Sequence, residues 1–106
     1  MQPESRLVGK IKRAISSRWP DAFVVKLHGN PYQPAGLPDL LVVLHGRAVG
    51  IEVKAPGIGE SEEHARERVT LRQRDVLNRI SRAGAVSGVA LSVDEAVEIV
   101  ARAERT

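Results

Sequence analysis

Two carboxylates and a lysine stand at positions that would let them meet in a folded chain. Asp39 opens one apolar run of the sequence, and Glu52 and Lys54 close the next. Side chains alternate between the two faces of a strand, so Glu52 and Lys54 share a face. If the two runs pair as a hairpin, Asp39 comes beside Glu52, and two carboxylates and an ammonium group converge at one end of a sheet.

A cluster of this kind has the composition of a metal-dependent hydrolytic site. Neighbouring carboxylates repel unless a positive charge lies between them, and Mg²⁺ is commonly held by one or two carboxylates together with water and substrate phosphate. A cation there would polarise a phosphoryl oxygen and lower the pKa of a bound water, while Lys54 would orient that water or neutralise charge on the phosphorus. The residues therefore predict phosphodiester hydrolysis. The alternative is a turn aspartate next to an ordinary strand ion pair between Glu52 and Lys54.

Two more polar residues fall on the predicted inner faces of helices. From Glu4 to Arg18 apolar residues recur at three-to-four spacing, which predicts an amphipathic helix with Glu4 in the middle of its apolar arc. A second helix is predicted from Thr70 to Ala83, with Gln73 in its inner arc. We expect Glu4 to bind a metal and Gln73 to support the site. The alternatives are a first-turn acid stabilised by the helix dipole and a polar residue at the margin of a buried face.

The remaining sequence predicts the elements that must position these residues. Four runs rich in β-forming residues predict strands: 22–27, 38–44, 47–54 and 86–91. His45 and Gly46 make a hairpin turn, and Ser92 begins a capping box that opens a final helix. Residues 28–36 are predicted to form a long ordered loop, and residues 55–68 a mobile surface loop. The order α-β-β-β-α-β-α predicts an α/β fold, with a mixed sheet of about four strands flanked by helices.

Length and composition exclude several classes of protein. The chain has 106 residues, 42% of them hydrophobic and 27% charged, which fits one globular domain. No apolar run approaches a membrane span and no signal peptide is recognisable, so we expect a cytoplasmic protein. The absence of cysteine excludes disulfides and thiolate metal sites. Because His45 is predicted in a turn and His64 in a loop, we do not expect a histidine-based zinc site. We do not expect an organic cofactor either.

Charge and aromatic content indicate how a nucleic acid would be bound. Sixteen Lys and Arg against thirteen Asp and Glu give a net charge of +3, and aromatic residues are only 3% of the chain. So few rings cannot form a base-stacking platform, which leaves phosphates as the main contacts. The alternative is that these charges are solvated helix faces. The candidate DNA contacts are Arg6, Lys10 and Arg13 on the first helix, Arg72 and Arg74 on the second, and His28 and Tyr32 on the intervening loop.

The same residues resemble a known family. Pro38-Asp39 followed by Glu52-Val53-Lys54 is similar to the signature of PD-(D/E)xK nucleases. Nearly the whole chain resembles the virus-type replication-repair nuclease (VRR-NUC) domain. The further features that carry this resemblance are Glu4, the Gly36-Leu-Pro38-Asp39 sequence, Gln73 and the Gly-Val-Ala-Leu-Ser-Val run before the last helix.

This resemblance implies a site and an activity. In the family the residues matching Glu4, Asp39 and Glu52, with the backbone carbonyl of Val53, bind Mg²⁺ or Mn²⁺. The lysine matching Lys54 assists the attacking water, and the glutamine matching Gln73 supports the site. Single-domain members are similar to Holliday-junction resolvases that act as homodimers, in a bacterial cell or encoded by a phage. We therefore expect a structure-specific endonuclease for branched or four-way junction DNA. The alternatives are a flap or nicking endonuclease and an inactive nucleic-acid-binding module.

Overall fold

The computed structural model describes residues 3–29 and 31–105. Asn30, in the predicted loop 28–36, and the terminal residues 1, 2 and 106 of the predicted domain lie outside the described residues. The elements, in order, are α1 (Pro3–Arg18), β1 (Phe23–Lys26), β2 (Leu40–Leu44), β3 (Arg47–Val53), α2 (Glu62–Glu67), α3 (Leu71–Arg82), β4 (Val86–Ala90) and α4 (Val93–Arg105). None of the described helices is both long and apolar enough to cross a membrane.

The strands form a mixed sheet in the order β1-β2-β3-β4, which confirms the predicted α/β fold. β1 and β2 are antiparallel, as are β2 and β3, whereas β4 runs parallel to β3. His45 and Gly46 join β2 to β3 with φ angles of 51° and 80°. Two positive φ values are what a two-residue type I′ hairpin turn requires.

Helices cover both faces of the central strands. Along β2 the side chains of Leu40, Val42 and Leu44 are buried on one face, and α1 and α4 pack together against that side. α3 packs against β3 and β4, on the opposite side. β3 is consequently buried from Val49 to Val53, at the centre of the core.

The topology brings several chain ends to one end of the sheet, here called the Asp39 end. β1 and β3 finish there, and β2 begins there. α3 must return the chain to the start of β4, parallel to β3, so α3 also begins at the Asp39 end. This end therefore collects the loop between β1 and β2, the segment after β3 and the start of α3.

The prediction of a loop over residues 55–68 is wrong for its second half, which contains α2. Ser61 caps this helix, because its Oγ accepts a hydrogen bond from the His64 N–H at 3.0 Å. Ala65 and Val69 are 0% and 5% exposed. Their four-residue spacing gives the segment a small apolar face, and burial of that face holds it as a helix rather than a loop.

Candidate active site

The Asp39 carboxylate is hydrogen-bonded to the end of β3. Leu40 pairs with Ile51 across the hairpin, so Asp39 and Glu52 are the next residues along the two strands. The Oδ2 atom of Asp39 accepts a hydrogen bond from the Val53 N–H at 2.7 Å. Since this is the length of a charge-assisted bond, the carboxylate is held in one orientation beside the end of β3.

Glu52 and Lys54 share a face, as their alternation along the strand predicts. Lys54 Nζ lies 3.6 Å from Glu52 Oε2. Glu52 is 2% exposed and is the one charged residue that is buried among those the structure describes. Its other oxygen, Oε1, is buried with no hydrogen-bond partner in the described part of the chain. An orphaned carboxylate oxygen is costly in a protein interior and requires an explanation.

Burial and mutual repulsion weaken both acids. Burial, and after it the charge of Asp39, raises the pKa of Glu52 to about 7 against the lowering effect of Lys54. Burial also raises the pKa of Asp39, against the lowering effects of the Val53 N–H and the Lys54 charge. The pair therefore favours an added positive charge between its members, and its hard oxygen atoms fit a divalent cation such as Mg²⁺ or Mn²⁺.

Glu4 lies at the rim of this pair rather than within it. Its charge contributes to the raised pKa values of Asp39 and Glu52, which places it within electrostatic range of both. Its side chain is 41% exposed, and its Oε1 accepts a hydrogen bond from Arg68 at 3.1 Å. Within residues 3–29 and 31–105 no three His, Cys, Asp or Glu side chains form a group that could hold a metal. Arg68 thus occupies one carboxylate oxygen of Glu4 in this structure, and the role of Glu4 as a metal ligand stays a prediction.

Arg68 and Glu60, which no sequence pattern singled out, form a cluster beside the site. The Arg68 guanidinium donates to Glu60 Oε2 at 3.0 Å and to Glu60 Oε1 at 3.1 Å. It also donates to the Ala55 carbonyl at 2.8 Å. These bonds from Arg68, together with those from the Gly57 N–H and from His64, lower the pKa of Glu60 to about 2. Ser61 as a helix cap, followed by Ala65 and Val69 at four-residue spacing, is the sequence signal that would have predicted the helix between Glu60 and Arg68.

Gln73 is engaged at the start of α3. Its Oε1 accepts a hydrogen bond from the Thr70 N–H at 2.9 Å, while its own N–H donates to Thr70 Oγ1 at 3.1 Å. This reciprocal capping box confirms the predicted helix start at Thr70. Gln73 thus lies at the Asp39 end of the sheet with its side-chain oxygen already bonded, and its role in the site stays a prediction.

The candidate DNA contacts lie on α1, on α3 and on the loop between β1 and β2. Arg6, Lys10 and Arg13 are exposed on α1 and line a shallow groove. Arg72 and Arg74 are exposed in the first turn of α3. His28 and Tyr32 are exposed on the loop between β1 and β2. The exposure of these side chains is compatible with phosphate contact, which stays a prediction for all seven.

Comparison with known proteins defines the fold. No family model and no curated protein sequence matches the chain. A solved structure described as a "VRR_NUC domain" superposes with a TM-score of 0.56 and 24% sequence identity. The match covers 87% of this chain and 91% of that chain. The chain therefore has the fold of a VRR_NUC domain, which confirms the resemblance at the level of the fold.

Proposed function

We propose that this protein is a metal-dependent, structure-specific DNA endonuclease that hydrolyses phosphodiester bonds. The observation that carries the proposal is the meeting of Asp39, Glu52 and Lys54, with the Asp39 carboxylate 2.7 Å from the Val53 nitrogen and Lys54 Nζ 3.6 Å from Glu52. The likeness to a solved VRR_NUC domain supports the proposal at the level of the fold. Function lives in the site and not in the fold, so the site residues are the ones to test.

Asp39 and Glu52 are the residues that would hold Mg²⁺ or Mn²⁺. Glu52 Oε1 has no partner in the described structure, and Asp39 Oδ1 is the oxygen not bonded to Val53. The Val53 carbonyl and Glu4 would complete the set implied by the family resemblance. Such a cation supplies Lewis acidity toward the phosphoryl oxygens and a more acidic bound water.

Lys54 would act on the nucleophile and on the developing charge. Its ammonium group lies on the face of β3 that carries Glu52 and is half-buried, with 15% of the side chain exposed. A fixed ammonium can hold a water for in-line attack and stabilise negative charge as it builds on the phosphorus. Gln73, at the start of α3, would support the arrangement from the Asp39 end of the sheet.

The substrate we favour is a four-way junction resolved by a homodimer. The chain measures 37 × 28 × 25 Å, which gives one copy little surface for gripping four duplex arms. Two-fold pairing would place two equivalent sites for symmetric incisions in opposite strands. A monomer that cuts other branched DNA, as a flap or nicking enzyme, is the alternative.

A gel assay tests the proposal. Purified protein is incubated with a labelled four-way junction, flap, splayed arm, duplex and single strand in Mg²⁺, Mn²⁺ or EDTA, beside Lys54→Ala. Paired symmetric cuts in the junction alone, lost in EDTA and in the variant, would establish a resolvase. Cuts in flaps alone would favour the flap enzyme. Binding without cleavage in any metal would instead identify an inactive nucleic-acid-binding module.

A further inference from the structure

A tight turn presents an isoleucine to solvent beside the candidate active site. Ile58 is fully exposed, with a relative accessibility of 109%. It occupies the second position of the turn 57–60, which is closed by a hydrogen bond from the Glu60 N–H to the Gly57 carbonyl at 3.0 Å. Gly59, at the third position, has φ of +76°, as a type II turn requires. The side chain of Ile58 therefore projects from the corner of a defined turn.

Hydrogen bonds on both sides anchor this turn. The Gly57 N–H donates to Glu60 Oε1 at 2.9 Å, and Glu60 accepts two further bonds from Arg68. Arg68 in turn holds the Ala55 carbonyl, immediately after Lys54. Ile58 is thus tied to the site through the backbone and through Arg68. Its position relative to the carboxylate pair is set by the fold rather than by a free loop.

Exposed apolar side chains are concentrated at this end of the molecule. In the described residues four large hydrophobic side chains are exposed, and Phe23 alone lies at the far end of the sheet. Tyr32 in the β1–β2 loop is 96% exposed, and Leu71 at the start of α3 is 87% exposed. A single exposed apolar residue needs no explanation, but the topology brings these three segments to the Asp39 end of the sheet, where a bound partner would cover apolar surface.

We infer that Ile58 is a wedge that packs against the unstacked base pair at a DNA branch point. This inference rests on the proposed function, since it supposes that DNA lies across the Asp39 end. Apolar side chains such as Ile can insert between base steps when the cost of unstacking is met. At a branch that stacking is already interrupted, whereas an intact duplex must be opened. Ile58 would therefore favour branched DNA over duplex at the site.

Fluorescence of 2-aminopurine tests this directly. The analogue is placed at the branch point of a junction and of a flap, and at the same sequence position in a duplex. Binding is measured in the Lys54→Ala background so that the DNA stays intact. We expect binding to raise the branch-point fluorescence. Adding Ile58→Ser should remove most of that rise and weaken binding to branched DNA about tenfold, with duplex binding unchanged.

Matched variants test whether the apolar side chain of Ile58 causes the changes in fluorescence and affinity. Ile58→Leu keeps an apolar tip and should retain the signal, and Phe23→Ser removes an exposed apolar side chain at the far end and should change nothing. Unchanged fluorescence and affinity in Ile58→Ser would overturn the wedge. A second result would also overturn the wedge: light scattering shows that Ile58→Ser converts a dimer to a monomer, and affinity falls equally for duplex and branched DNA. Ile58 would then be a contact between copies. Cleavage by the unmodified protein is assayed separately. If that protein cuts branched DNA and Ile58→Ser changes neither fluorescence nor affinity, the wedge is wrong and the proposed nuclease function stands.

Discussion

At the scale of single residues, Asp39 and Glu52 carry the same chemical group in unlike surroundings. Asp39 is satisfied by the Val53 N–H at 2.7 Å, whereas Glu52 has one oxygen near Lys54 and one with no partner in the described structure. The backbone orients the first carboxylate, and the second has an oxygen that a bound cation would satisfy. Both carboxylates are proposed metal ligands and Lys54 is not, so substitutions of the carboxylates and of the lysine should affect metal binding differently.

Lys54→Ala should lower the rate of cleavage by at least about a hundredfold while Mn²⁺ binding persists, because in the proposed mechanism the lysine would act on water and charge rather than on the metal. Asp39→Asn and Glu52→Gln should lose both cleavage and Mn²⁺ binding. Single-turnover cleavage and Mn²⁺ electron paramagnetic resonance measure the two properties, and circular dichroism checks that each variant is folded. Full activity in any of the three would contradict its assignment.

Glu52 also predicts how the stability of the metal-free protein depends on pH. Its pKa of about 7 in the folded chain lies above the ordinary value of 4.5, so the folded chain binds this proton more tightly than the unfolded chain. The resulting stabilisation is complete below about pH 4.5 and is lost as the pH rises through 7, by about 3 kcal/mol.

Urea unfolding in EDTA at pH 5 and pH 8 measures this loss. Glu52→Gln serves as the control, because a glutamine cannot ionise and should show a flatter profile over the same range. Parallel profiles for the two proteins would show that Glu52 is not the group responsible.

At the scale of elements, the rim of the site depends on one side chain that joins three segments. Arg68, the C-cap of α2, bonds to Glu4 in α1, to Glu60 in the turn 57–60 and to the Ala55 carbonyl after β3. A guanidinium can do this because its donors lie in a rigid fork, which a lysine lacks. The short helix α2 thus matters for the site through its last turn.

Arg68→Gln should weaken Mn²⁺ binding and cleavage by about tenfold, the effect typical of losing a residue that orients groups around a metal. Arg66→Gln is the matched control, because Arg66 lies on the same helix and pairs instead with Glu95. Titration of Mn²⁺ measures the affinity. Equal effects of the two substitutions would mean that α2 contributes only general stability.

Gln73→Ala removes half of the capping box of α3. It should lower the free energy of unfolding by about 0.5 to 1 kcal/mol, as lost caps typically do. Gln73→Glu keeps the accepting oxygen and should unfold like the original protein in urea. Wild-type cleavage by Gln73→Ala would assign the residue to the helix, and a strong loss of cleavage in both variants would assign it to the site.

At the scale of the whole molecule, charge and shape determine how DNA would approach. The net charge is +3, and Lys10 and Arg13 are exposed on one groove of α1. Phosphate contacts release counterions, so binding should weaken steeply as salt rises. The carboxylates at the Asp39 end are the least favourable part of this surface for DNA, and a bound cation would neutralise them.

Lys10→Gln combined with Arg13→Gln should reduce the slope of log affinity against log salt by about 2, since each lost phosphate contact contributes about 1. Arg105→Gln, on the last turn of α4, is the control for a simple change of net charge. Fluorescence anisotropy with duplex DNA at several salt concentrations gives the slope. An identical slope in the double variant would show that α1 is only a solvated face.

The sequence alone determined the parts of this protein that depend on near neighbours. Alternation along β2, the His45 and Gly46 turn and the Thr70 cap are local patterns, so the strands and the three longer helices begin and end close to the predicted residues. The pairing of Asp39 with Glu52 was predictable for the same reason, because a two-residue turn sets the register of the hairpin between them.

Only the tertiary structure decided which distant side chains meet. Arg68 and Glu4 are 64 positions apart, and no local pattern couples a residue after α2 to the first turn of α1. Glu4 was placed among the metal ligands by its position in an apolar arc, but the packing of α2 puts a guanidinium on its carboxylate. Ile58 reads in sequence as part of a loop, and its exposure at a fixed turn follows from the same Arg68 bonds. Contacts of this kind depend on how the elements pack, and a local sequence pattern does not predict them.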